Sequence, residues 1–231
     1  MMKKIIKYWN QSFPTLKPKY GNLMETIGPL ILGIKFIKSP YGEDYVPFFY
    51  GGVLWDHDYF QVIKYQYEVL SSSFFNIGLL NNKDSRYFID FSDHESNIQY
   101  VDKAISLFKN HDIFIPLACN VSLDKILAFF DDYHNYLIKW GEYSSAKLAL
   151  IYEMKNLILL YYNEKKLSSQ LLDEIKKNRH RFYLDNSFER IVGNFDLWIN
   201  SLENIDIKDL QSNINNNKKT AKSFVDYEIL F

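Results

Sequence analysis

The chain has 231 residues with 27 basic against 28 acidic side chains, so it is nearly neutral and long enough for one generous domain or two small ones. With 47% hydrophobic residues, nine Gly and six Pro, it is neither disordered nor collagenous nor low in complexity. The longest run without a charge, Val69 to Asn82, holds three Ser and three Asn and falls short of the ~18 apolar positions that span a bilayer, so a soluble chain is expected.

The first twenty-two residues carry Lys3, Lys4, Lys7, Lys17 and Lys19 and no acid, and are read as a basic arm or short helix broken by Pro14 and Pro18. Lys7 interrupts the apolar stretch after Ile5-Ile6, which argues against a secretory leader. Leu30 to Ile37 is a β-branched and aromatic run closed by Ser39-Pro40-Tyr41-Gly42, which predicts strand then turn. Tyr45 to Tyr50 is its expected hairpin partner, and Pro47 predicts that this strand lies at an edge or begins there. Ile63, Tyr65, Tyr67 and Val69 alternate with Lys64, Gln66 and Glu68 as one dry and one wet face, and Arg86 to Phe91 follows as a further strand.

Helical spacing begins at Ser96 with Ile98, Val101, Ile105 and Phe108, and His111 to Leu117 reads as a short buried strand. Ser122 is an expected helix cap, and Leu123, Ile126, Leu127, Phe130, Leu137 and Ile138 make a stripe that ends at Gly141. Ser144 starts a longer helix, nearly apolar from Leu157 to Tyr162. Ser168 to Arg181 and Ser187 to Asn204 predict two amphipathic helices, the second anchored by Ile191, Phe195, Trp198, Ile199 and Leu202. Asn213 to Lys219 reads as a turn or frayed segment before an apolar tail. Strands first and helices afterwards imply an α+β protein: a mostly antiparallel N-terminal sheet with one helix, covered by a C-terminal helical bundle. The expected organisation is one unit over 1–231, with a basic segment at 1–22, a β-rich part at 28–120 and a helical part at 122–231.

Chemistry-bearing motifs are few. Asp56-His57-Asp58 and Asp93-His94-Glu95 join carboxylates to imidazole, a donor set able to hold Mg²⁺, Mn²⁺ or Zn²⁺ and activate water. A metal-dependent nuclease or phosphoesterase built on His57, Asp58, Asp93 and His94 is therefore one reading. Adjacent residues of an extended segment point to opposite sides, however, so each triplet delivers at most two ligands to one centre, and solvated loops are the other reading. His134, three positions after Asp131 on a helix, forms either a base pair of residues or a surface contact. Cys119, the single cysteine, excludes an internal disulfide, fits a reducing cytoplasm and is expected to be an inert buried thiol. No Gly-x-Ser-x-Gly and no phosphate-binding glycine loop occurs, so neither catalytic residues nor a cofactor are expected.

Charge distribution says more. Lys165, Lys166, Lys176, Lys177, Arg179 and Arg181 cluster near only two acids, and together with the basic N-terminal segment they offer a nucleic-acid reading if the two share a face. The acids Glu43, Asp44, Asp56, Asp58, Asp84, Asp90, Asp93 and Glu95 fall in the β part. There they interleave with Tyr45, Phe48, Phe49, Tyr50, Trp55, Tyr59 and Phe60, a mixture that docks a basic protein: charge steers and aromatics anchor. The alternative is that these aromatics fill the core and the acids are merely solvated.

The run Gly28-Pro29-Leu30-Ile31-Leu32-Gly33-Ile34, the Ser-Pro-Tyr-Gly turn and Tyr45-Val46-Pro47 resemble the immunity proteins encoded beside bacterial polymorphic or contact-dependent growth-inhibition toxins. That resemblance, over about the first seventy residues, implies a stoichiometric, non-catalytic inhibitor that binds a cognate, basic toxin domain. Trp55, Asp56, Asp58 and Tyr59 in one loop, with Asp93 and Glu95 in the next, are the expected partner-binding residues. Neither a membrane nor a metal enters this expectation.

Overall fold

The computed structural model describes residues 2–19, 22–38, 44–55, 73–78, 89–90, 98–109, 119–139, 141, 143–220 and 226–230. The protein is α+β, and its chain divides into two units: Met1–Ser122 together with Asn216–Phe231, and Leu123–Asn215. The division falls where strand-like sequence gives way to helical spacing, but the last residues return to the first unit.

In the first unit, helix α1 (Met2–Ser12) buries Ile5, Ile6 and Trp9 along one stripe and leaves Lys3, Lys4 and Lys7 in solvent. The basic segment is thus no loose arm. Strands β1 (Lys17–Lys19), β2 (Asn22–Ile27), β3 (Leu30–Lys38), β4 (Asp44–Val53) and β5 (Ser73–Gly78) follow in that spatial order, each antiparallel to the next. The Trp9 ring stands edge-on to Phe36 with centroids 5.3 Å apart, so α1 lies on β3. The expected hairpin is present, with Leu30 opposite Val53 and Lys38 opposite Tyr45.

Strand β4 is not an edge, contrary to the expectation from Pro47. On its far side β5 pairs with Phe48 to Gly52, and β6 (Ile89–Asp90) pairs with Asp44 and Tyr45. Pro47 itself lies opposite Phe36 of β3, between the segments of β4 that pair with β5 and β6. Gly33 faces Met24, and a Cβ built on it would lie 2.0 Å from the Leu23 carbonyl oxygen, so only glycine permits this approach of β2 and β3. Helix α2 (Ile98–Lys109) buries Val101, Ala104 and Ile105, and Tyr8 donates to Asp102 at 2.7 Å. The alternating segment 63–69 and the expected strand 111–117 lie outside the described residues.

The second unit contains α3 (Leu123–Lys139), α4 (Ser145–Tyr161), α5 (Lys165–Lys177), a 3₁₀ turn (Arg179–Tyr183), α6 (Ser187–Ile191) and α7 (Phe195–Glu203). Ser144 caps α4, its hydroxyl accepting from the Lys147 amide at 3.2 Å. The helix expected over Ser187 to Asn204 is two. Gly193 at φ 99° ends the first, and the Asn194 side chain caps the second by accepting from the Asp196 and Leu197 amides. Asp185 ties the turn to α4, accepting from the Ser145 and Ser187 amides at 2.8 and 2.7 Å. These donors, Ser187 foremost, hold its carboxyl below the ordinary range. Asn156, fully buried, accepts from Ser168 at 2.6 Å and donates to the Leu202 carbonyl, joining α4 to α5 and α7.

Helix α8 (Ile207–Thr220) overturns the reading of Asn213 to Lys219 as a turn. Leu210, Ile214 and Asn217 fall on one buried stripe, and the Asn217 amide donates to the Leu54 carbonyl at 2.7 Å. The tail supplies β8 (Asp226–Tyr227), parallel to β2, and β9 (Ile229–Leu230), parallel to β7 (Val121–Ser122). Asp226 accepts from Thr26 at 2.9 Å and from Lys218 at 2.9 Å, which fixes the strap to the sheet.

Substituting Gly33→Ala is expected to cost about 3 kcal/mol, because backbone on the facing strand has no room to yield. Gly141→Ala, at φ 67° with nothing within 4 Å of the new methyl, is expected to cost only about 1 kcal/mol. Chemical denaturation of the two variants checks this order.

Candidate functional site

Of the six expected partner-binding residues, Trp55 is described, and Asp56, Asp58, Tyr59, Asp93 and Glu95 lie outside the described residues, as do His57 and His94. Trp55 is half-buried just past the end of β4. Its neighbour Leu54 is fixed from both sides, its amide donating to Pro29 at 2.9 Å and its carbonyl accepting from Asn217. The backbone just ahead of Trp55 is therefore held by the sheet and by α8. Among the described residues no group of three His, Cys, Asp or Glu is arranged to hold a metal ion, and no helix is long and apolar enough to cross a membrane. Cys119 is exposed, not the buried thiol that its apolar neighbours Leu117 and Ala118 suggest.

The helical unit brings together titratable groups that sequence spacing does not pair. Asp131 does not bind His134. Its carboxylate takes the Lys155 ammonium of α4 at 2.6 Å, and that ammonium arises from the apolar face of the helix with its side chain only 11% exposed. His134 turns instead to Arg181, its Nε2 lying 3.5 Å from the guanidinium, while its ring meets Tyr143 edge-on. Arg181 also donates to the Tyr152 hydroxyl at 3.4 Å, and Tyr152 donates to Glu174 at 3.0 Å. Burial, then the charge of Glu174, pushes the Tyr152 phenol up to about 12, so it stays a neutral donor.

Below this row, between α3, α4 and α5, a cleft of about 200 Å³ opens. Leu127, Leu159, Leu167 and Leu171 make it apolar, and Lys155, Gln170 and Glu174 supply its polar groups. Three of the six members of the basic cluster, Lys176, Arg179 and Arg181, are engaged internally. Lys176 pairs with Glu203 at 2.5 Å, and Arg179 grips Asp196 at 2.9 and 3.1 Å while lying over the Phe195 ring. The N-terminal lysines and this cluster belong to different units.

Between the 3₁₀ turn and α7 the helical unit exposes large hydrophobic side chains. Leu184, Ile191 and Leu197 are 67%, 67% and 71% exposed, and Tyr183 is 43% exposed. Ile191 is thus no anchor of the core, and Ile138 at 53% likewise faces solvent. The Tyr183 ring lies 6.3 Å from Phe188 and 6.4 Å from Phe195, and Arg179 lies over it. Exposed side chains of these types are ones that protein contacts commonly cover, and Ile191 reads as core in the sequence because it fits a helical stripe.

Replacing Asp131 by Ala strands the Lys155 ammonium and is expected to lower stability by about 2 kcal/mol. Adding Lys155→Met is expected to restore most of that loss, a non-additivity read from urea unfolding of the single and double variants. Compared with protein-family models, curated proteins and solved structures, the chain matches none.

Proposed function

We propose that this chain is a non-catalytic protein-binding module, and in its narrower form an immunity protein that neutralises a basic toxin domain in the cytoplasm. The observation that carries the reading is the exposure of Tyr183, Leu184, Ile191 and Leu197, all within the segment of the helical unit that also holds the paired Arg179 and Asp196. Leaving three aliphatic side chains in water costs solvation that contact with a partner recovers. The narrower form is supported by the resemblance of the Gly28 to Pro47 segment to immunity proteins and by the acids that follow Trp55. In this reading Trp55 and Tyr59 anchor and Asp56, Asp58, Asp93 and Glu95 steer a basic partner, while the exposed aliphatics of the helical unit are a contact surface of their own.

The test uses the protein encoded by the adjacent gene as the probe. Ile191→Asp with Leu197→Asp is expected to weaken its binding at least about thirtyfold while the melting temperature is unchanged, since both positions are exposed. Asp56→Lys with Asp58→Lys is expected to slow association and flatten its dependence on salt. Wild-type binding by both double variants would overturn the assigned surfaces, and no binding by the wild type would overturn the immunity role.

A further inference from the structure

We propose that the His134–Arg181 junction is a pH-sensitive latch, in which a proton on His134 turns a hydrogen bond into an opposition of two cations and frees α3 from the 3₁₀ turn. Arginine has no lone pair to offer, so the contact at 3.5 Å exists only if His134 Nε2 is the acceptor. The imidazole is then neutral with its proton on Nδ1. Protonation removes that acceptor and leaves N–H groups facing each other.

Little else in the surroundings absorbs the added charge. On α3 itself, Asp131 is one turn away but holds the Lys155 ammonium of α4. Glu174 of α5 is engaged by the Tyr152 hydroxyl, which stands between it and Arg181. Tyr143, ahead of α4, packs its ring on His134 and donates to the Arg181 carbonyl, and Asp185 accepts from Ser145 and Ser187. Among the described residues Arg181 has no carboxylate within 4 Å, so the guanidinium cannot move to a better partner without leaving its place. The same backbone carbonyl takes the Ser145 hydroxyl at 3.2 Å, which keeps the turn fixed while the imidazole charges.

The direction follows from linkage. Burial, then the charges of Arg181 and Lys155, hold His134 below the ordinary value of 6.5, with Asp131 only partly opposing them. The folded form thus binds this proton less readily than the unfolded one. The junction contributes in full above about pH 6.5 and is lost as pH falls from there through the folded value.

Two measurements on the full chain test the latch. Amide protection over Tyr133–Lys139, corrected for intrinsic exchange, is expected to fall at least about fivefold between about pH 7.5 and about pH 5, the low end of a coupling between two sites. His134→Gln keeps an acceptor that does not titrate and is expected to abolish that fall. In NMR titration the His134 ring is expected to titrate below 6.5 in the wild type and to move upward in Arg181→Gln, which removes the facing charge. An equal fall in protection in His134→Gln, or a His134 titration that ignores Arg181→Gln, would overturn the proposal.

Discussion

Phe182 is the side chain around which the helical unit is organised. It is fully buried, and its ring lies within 6.0 Å of Tyr152, Phe188, Phe195 and Trp198, so a single residue of the 3₁₀ turn touches α4, α6 and α7. Such clusters gain from edge-to-face geometry beyond the area they bury. With Phe182 held inward, its neighbours have no freedom to follow. Arg181 is turned toward His134 and Tyr152, and Tyr183 is left partly in water beside Arg179. The titratable junction and the exposure of Tyr183 both follow from one buried ring.

Charge in the same unit obeys a second constraint. Lys155 and Glu153 lie on a helix that is otherwise nearly all apolar, and each has been given a single partner: Asp131 for one, the Trp198 indole N–H for the other. Burial lifts the Glu153 carboxyl above its ordinary value, and the indole bond works against that. Polar groups on a central helix are costly unless met, and meeting them one by one specifies how α3 and α7 sit on α4.

Much of the fold was legible because local pattern and burial agree. Leu30 to Ile37 and Tyr45 to Tyr50 formed a recognisable hairpin, and Ser144 announced α4. Strand β2 was not legible: all six residues of Asn22–Ile27 are buried, so no alternation marks it. Nor was α8, whose run of asparagines hides the stripe of Leu210, Ile214 and Asn217. The break at Gly193 sat inside a pattern that looked continuous. Trp55 was expected beyond a strand and lies there, whereas Arg181 and His134 are 47 residues apart and no spacing rule joins them. Asp131 misled for the opposite reason, being near His134 in sequence while its charge was claimed from another helix.

The strap of Asp226 to Leu230 sets the two units apart in how far along the chain their contacts reach. The aromatic core of the helical unit lies wholly within Leu123–Asn215, whereas Thr26 of β2 bonds Asp226 at a separation of 200 residues and Asn120, beside β7, bonds Glu228 at a separation of 108. The sheet unit therefore closes over a long loop that includes the helical segment, while the helical unit closes on near neighbours. The strap pairings are thus the contacts of the molecule that form most slowly.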